Sequence, residues 1–152
     1  HVLQLKRTIN SSTLKNPLTN RRNHMPLLNI SLQKGKDAQY IKTLSTTIHQ
    51  ALMDTWHIPE NDYFQLIHEV EADHFFIDRH MWNMNRTDDV IIIHITSAPR
   101  TSEMKRDFYR ELPLALGKAL GLSHDDVFIS IITNQPEDWS FGQGQAQLLT
   151  SS

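Results

Sequence analysis

The 152-residue chain has no cysteine, which removes disulfides, thiolate nucleophiles and cysteine metal sites from consideration. Long apolar runs are missing as well. None approaches the roughly 18 residues that a membrane span requires, so a soluble, cytoplasmic protein without membrane partners is expected. Acid is missing from residues 1–25, where Lys6, Arg7, Lys15, Arg21 and Arg22 give +5. The remainder holds the other 10 basic residues against all 17 acidic ones, or −7, and a body of that sign repels nucleic acid at long range. By length the chain is one domain with enough residues to bury its own core.

Residues 1–25 keep neither alternation nor helical spacing, and Asn10, Ser11, Ser12, Asn16, Pro17 and Asn20 interrupt whatever begins. A disordered leader is expected there. It reads as a targeting segment without a sustained amphipathic face, as an extension that blocks Pro26, or as untranslated leader. The last is preferred, because Arg21-Arg22 can be encoded AGG AGG, a ribosome-binding sequence shortly before a start codon at Met25.

The central stretch is Met25-Pro26-Leu27-Leu28-Asn29-Ile30-Ser31-Leu32. Synthesis from Met25 followed by its removal leaves Pro26 with a free secondary amine. An α-amino group titrates near pH ~7.7–8.0, and burial or a nearby cation lowers that toward a range where one group both takes and gives protons. Read by residue type alone, Pro26 simply opens a strand, where its missing N–H does no harm.

From Pro26 onward the chain repeats itself. Shifted by 64 residues, Asp62 falls on Asp126, Phe64 on Phe128, Ile67 on Ile131, Ala51 on Ala115 and Leu52 on Leu116. Each copy reads strand, helix, strand: 27–32, 37–56 and 63–70, then 90–96, 101–120 and 127–133. Ile41, Leu44, Ile48, Ala51, Leu52 and Thr55 recur at three and four and form one buried helical stripe. Pro113 inside the second helix is a misfit of about 3 kcal/mol unless the helix kinks, and Gly121 is a normal helix stop. The fold expected is α/β, with two pseudo-symmetric βαβ repeats (26–70 and 90–134), a C-terminal segment (135–152) and both helices on one face of a four-stranded sheet. Leu27-Leu28, Ile91-Ile92-Ile93 and Ile131-Ile132 put apolar residues on both faces, so the uncovered face is expected to meet another copy of the chain.

The Met-Pro start, the duplicated βαβ unit, Pro59 with Asp62, Ser97-Ala98-Pro99-Arg100, Lys105 with Phe108-Tyr109, and the closing Trp139-Ser140-Phe141-Gly142 occur in this order. With these features the chain from Pro26 to about Leu149, within a domain of residues 26–152, resembles the tautomerase superfamily, and within it the malonate semialdehyde decarboxylase branch. The resemblance implies a mixed sheet, a homotrimer, no cofactor, and an amino-terminal proline doing acid/base chemistry on small oxo acids. Keto–enol tautomerisation and malonate-semialdehyde-type decarboxylation both fall within it.

Parallel strands start at the same end of a sheet, so Pro26 and Asp62 are expected to be neighbours. An antiparallel pairing of the two first strands, which the resemblance implies, brings Arg100 to that end too. Pro26 is then the general acid/base. Arg100 binds the substrate carboxylate through its planar fork. Asp62 orients water or steers a proton, while Trp139 and Phe141 bind substrate and close the pocket. Each has a plainer reading: Asp62 as a turn residue like Asp126, Arg100 as a solvated strand-end cation, the aromatics as core. The decarboxylase branch carries a second arginine where this chain has Ala98.

No metal is expected, since His68, His74 and His80 recur at six residues, a spacing that matches no familiar ligand pattern. The 71–89 connection, with Phe75, Phe76, His80, Trp82 and Arg86, is either functional, lying over a neighbour's site, or mobile. The competing reading is a non-catalytic oligomeric binding protein in which the extension blocks Pro26.

Overall fold

The computed structural model describes residues 26–150, so the expected leader lies outside the described residues. Four strands, β1 (Leu27–Gln33), β2 (Gln65–Val70), β3 (Ile91–Ser97) and β4 (Val127–Thr133), form one sheet in the order β2-β1-β3-β4. Helix α1 (Ala38–Trp56) joins β1 to β2, α2 (Ser102–Leu120) joins β3 to β4, and a short α3 (Gln147–Thr150) ends the described chain. Among the described residues no helix is long and apolar enough to cross a membrane.

Strict alternation builds the sheet. Leu28, Ile30 and Leu32 of β1 and Ile91, Ile93 and Ile95 of β3 point to the same side and are buried. Leu44, Ile48, Ala51 and Leu52 of α1 and Phe108, Leu112 and Leu116 of α2 pack on them as one core. Trp56 crosses between the helices: its ring lies 5.4 Å from that of Phe108, and its Nε1–H donates to the Met104 carbonyl at 3.1 Å.

The repeat is exact in the first two elements of each unit, since a shift of 64 residues carries β1 onto β3 and α1 onto α2. Their helix ends match as well: the Asp37 and Thr101 side chains accept the N–H groups of Tyr40 and Met104, and His57 and Gly121 close the helices in the left-handed region. Glycine adopts that conformation freely. His57, at φ 57°, does so at a penalty of about 1 kcal/mol.

Two details differ from expectation. β2 begins at Gln65 rather than at 63, because Tyr63 is drawn onto α1 and pairing with β1 starts where Leu28 N–H donates to the Phe64 carbonyl at 3.0 Å. Helix α2 runs unbroken through the buried Pro113, and the carbonyl that loses its N–H partner belongs to the exposed Tyr109. The helix-free face is also less apolar than its doublets suggest. Leu27, Leu66, Ile92, Phe128 and Ile132 share it with Asn29, Ser31, His68, His94 and Ser130, and His68 bonds Asn29 at 2.9 Å.

The 71–89 connection is tied down by the second repeat. The buried Asp126 carboxylate accepts the Thr87 backbone N–H at 2.7 Å and its hydroxyl at 2.6 Å, while Arg86 donates to the Asp125 and Asp78 carbonyls and lies over the Phe128 ring. Asp126→Ala removes both bonds between a buried carboxylate and Thr87 and is expected to lower unfolding free energy by about 1–2 kcal/mol, read from urea denaturation.

Candidate active site

Sheet register sets the site. β1 and β2 are parallel, with Leu28 opposite Gln65. β1 and β3 are antiparallel, with Leu27 opposite Thr96, and β3 and β4 are parallel, with Ser97 opposite Thr133. The starts of β1 and β2 and the ends of β3 and β4 therefore share one end of the sheet. Pro26 directly precedes β1, Asp62 precedes β2 in the turn that follows α1, and Arg100 follows β3 in the turn before α2. All three are buried.

Arg100 enters this end as a held cation. Its Nε–H donates to the Ser97 hydroxyl at 3.3 Å, and its guanidinium carbon lies 5.3 Å from the centre of the Trp56 ring. Together the two contacts define the plane of the fork. Burial pulls the guanidinium pKa below its ordinary value, and the charge of Asp62 opposes that shift, which puts the carboxylate within electrostatic reach. A proline at the head of β1, a carboxylate and a guanidinium thus share one buried end of the sheet, with Trp56 against the guanidinium. Such a set can bind a small carboxylate and exchange a proton with it.

The chain is similar to known proteins. Two sequence profiles, each described as "Tautomerase enzyme", match this chain over residues 62–142 and 26–84. Probable tautomerase YusQ of Bacillus subtilis (strain 168) is 41% identical over 126 residues, spanning 82% of this chain and 99% of that protein. The chain belongs to the tautomerase family. Probable tautomerase YrdN of the same organism is 36% identical over 126 residues, 83% of this chain and 98% of that one. Among solved structures, malonate semialdehyde decarboxylase superimposes with a TM-score of 0.77 at 33% identity, covering 82% of this chain and 96% of its own. Native fused 4-OT shares the fold at 21% identity with a TM-score of 0.66, covering 82% of this chain and 99% of its own. The chain is therefore similar to the decarboxylase branch in both sequence and fold.

Trp139 and Phe141 lie in the segment after β4, which leaves the same end of the sheet. They stack on each other at 5.6 Å, and Phe141 remains 43% exposed. Gln147 fixes this segment by accepting the Phe141 N–H at 2.9 Å and donating to the Gly142 carbonyl at 2.6 Å. The aromatics thus form a pair of their own after β4, at the end of the sheet where Pro26, Asp62 and Arg100 lie. Ala98 is half-buried, and its carbonyl accepts the Ser97 hydroxyl, so one arginine rather than two occupies the turn after β3.

Two supporting residues escaped sequence reasoning. Trp56 was passed over because it ends the helix just beyond the counted stripe, and Ser97 because it resembles an ordinary strand terminus. An aromatic one turn past the last counted apolar position, spaced to continue the stripe from Leu52, was the available signal for Trp56. For Ser97 there was none.

Proposed function

We propose that this tautomerase is an enzyme acting on a small oxo acid, with the ring amine of Pro26, freed of the residues before it, as general acid/base. What carries the reading is the strand register, which sets Pro26, Asp62 and Arg100 at one buried end of the sheet. Arg100 holds the substrate carboxylate. The Pro26 nitrogen removes a proton from the carbon beside the carbonyl, the electron pair moves into the enol C=C bond, and the carbonyl oxygen takes up a proton. Asp62, as an anion near the amine, favours its protonated form and so keeps the proton available for return. Trp139 and Phe141 cover the site.

Decarboxylation is the second reading, favoured by the similarity to malonate semialdehyde decarboxylase. There the C–C bond to the carboxylate breaks, CO2 leaves, and protonated Pro26 donates to the carbon. Alanine at position 98, where the decarboxylase branch carries a second arginine, leaves the substrate carboxylate one clamp and sets this chain apart from that branch. We place the active form in a homotrimer. The tautomerase-fold neighbours described as trimers support this, as do Leu66 and Ile132, 51% and 56% exposed on the helix-free face.

Intact mass of the protein purified from cells expressing the full reading frame, paired with assays on short oxo and unsaturated acids, tests the reading. A chain starting at Pro26 that turns over an enol-pyruvate substrate is expected. A chain retaining upstream residues and inert across the panel would instead identify a non-catalytic oligomeric binding protein.

A further inference from the structure

Asp62 sits in a turn, the least constrained setting for a residue whose charge must be placed accurately. Its own backbone supplies one tie, the Asp62 N–H donating to the Pro59 carbonyl at 3.1 Å. The others come from one face of α1. His49 is buried, 5% exposed, and its Nε2–H donates to the Glu60 carbonyl at 2.7 Å. A carbonyl only accepts, so that nitrogen carries a proton. The same imidazole packs on the Tyr63 ring, with centroids 4.1 Å apart and planes at 31°.

One helical turn earlier Ser45 continues the clamp. Its hydroxyl meets the Tyr63 hydroxyl at 2.5 Å and donates to Gln65 Oε1 at 2.7 Å, and Gln65 Nε2 donates back to the Ser45 carbonyl at 3.2 Å. Residues 60, 63 and 65 are thus fastened to α1 on both sides of Asp62. The corresponding turn of the second repeat has nothing like it. Asp126, the counterpart of Asp62, is spent on Thr87, and Pro113, the counterpart of His49, offers no polar group.

We propose that His49 is a positioning residue for catalysis: by gripping Glu60 and Tyr63 together it fixes the turn that presents Asp62 to Pro26 and Arg100. The proposal rests on the acid/base reading above and adds to it a residue that touches neither substrate nor reacting atoms. A displacement of about 1 Å in a charged group at a reacting centre is enough to lower rate by up to about 10²-fold. Arg100 keeps its own ties to Ser97 and Trp56, so substrate binding is expected to change less than the rate.

The experiment compares His49→Phe, His49→Gln, Tyr63→Leu and Asp62→Asn with wild type in kcat, KM and pH–rate profile. Phenylalanine keeps the ring on Tyr63 and deletes the donor, while glutamine restores an N–H at nearly the same reach. For H49F, kcat is expected to fall about 10- to 30-fold with KM within about twofold. H49Q is expected to recover to within about threefold of wild type, and Y63L to lose about 3- to 10-fold.

The limb that reports the amine moves to lower pH in H49F, the same direction as in D62N, because a displaced or absent anion no longer favours the protonated amine. Lost packing alone would not move that limb. Near-UV circular dichroism establishes that the variants are folded, and Y63L carries the test if H49F is not. Folded H49F and Y63L with wild-type kcat beside an impaired D62N overturn the positioning role and leave Asp62 standing. A D62N enzyme with wild-type kcat and pH profile overturns both.

Discussion

Pro26→Ala is expected to lower kcat on an enol-pyruvate substrate by about 10²- to 10³-fold while KM stays within about threefold. The size follows from the role. A positioned acid/base that acts near its own pKa contributes most when the proton is in flight and little to ground-state binding. Alanine leaves a primary amine at the same place on β1, so binding by Arg100 is retained and only the basicity and geometry of the nitrogen change. The pH–rate profile gives an independent reading, since the limb belonging to the secondary amine should be displaced or lost. A chain that keeps a peptide bond ahead of Pro26 should show the same loss, because an amide nitrogen is no base. Wild-type kcat in P26A, with the mature chain confirmed by mass, would remove proline from the mechanism.

Arg100→Ala is expected to lower kcat/KM by about 10²- to 10³-fold, carried mainly by KM. Two effects combine. The substrate carboxylate loses its charge-assisted hydrogen bonds, and the buried Asp62 loses the positive charge that the guanidinium supplies. Arg100→Lys separates them. Lysine restores a charge near Asp62, so the unfolding midpoint in urea should return most of the way to wild type. It does not restore the planar fork that Ser97 and Trp56 orient, so kcat/KM should remain at least about tenfold down. Recovery of full activity in R100K would mean that the cation acts as a diffuse charge and not as a shaped clamp.

Much of the architecture was legible because it depends on local periodicity. The alternation in Leu28-Ile30-Leu32 and Ile91-Ile93-Ile95 and the three-and-four spacing of Leu44, Ile48 and Leu52 follow from bond geometry and need no tertiary information. Duplication reinforced each reading by stating it twice. Where repeats carry different duties, the sequence was ambiguous. Asp62 and Asp126 look alike at the head of their strands, yet one lies near Arg100 and the other ties the 71–89 connection to the second repeat. That difference arises from what the folded chain brings alongside, and no neighbouring residue encodes it.

Histidine at position 49 shows the limit most clearly. Read in the chain, it is one of 9 histidines, placed on a helix eight residues before His57, and that spacing assigns it no role. Its partner is a backbone carbonyl 11 residues away around a turn, and a carbonyl has no side-chain signature. The Trp139–Phe141 pair was expected over the amine, and its mutual stacking was likewise invisible, since two aromatics two residues apart say nothing about which surface they cover.

By itself the sequence determined the elements, the twofold repetition and the identity of the candidate amine, carboxylate and guanidinium, because periodicity and residue chemistry are local properties. Parallel pairing already put Pro26 and Asp62 at one end in expectation, but residue chemistry alone could not bring Arg100 there; the tertiary structure decided that. The antiparallel join of β1 to β3 reverses the second unit against the first, so a residue that follows a strand in one repeat arrives beside a residue that precedes a strand in the other.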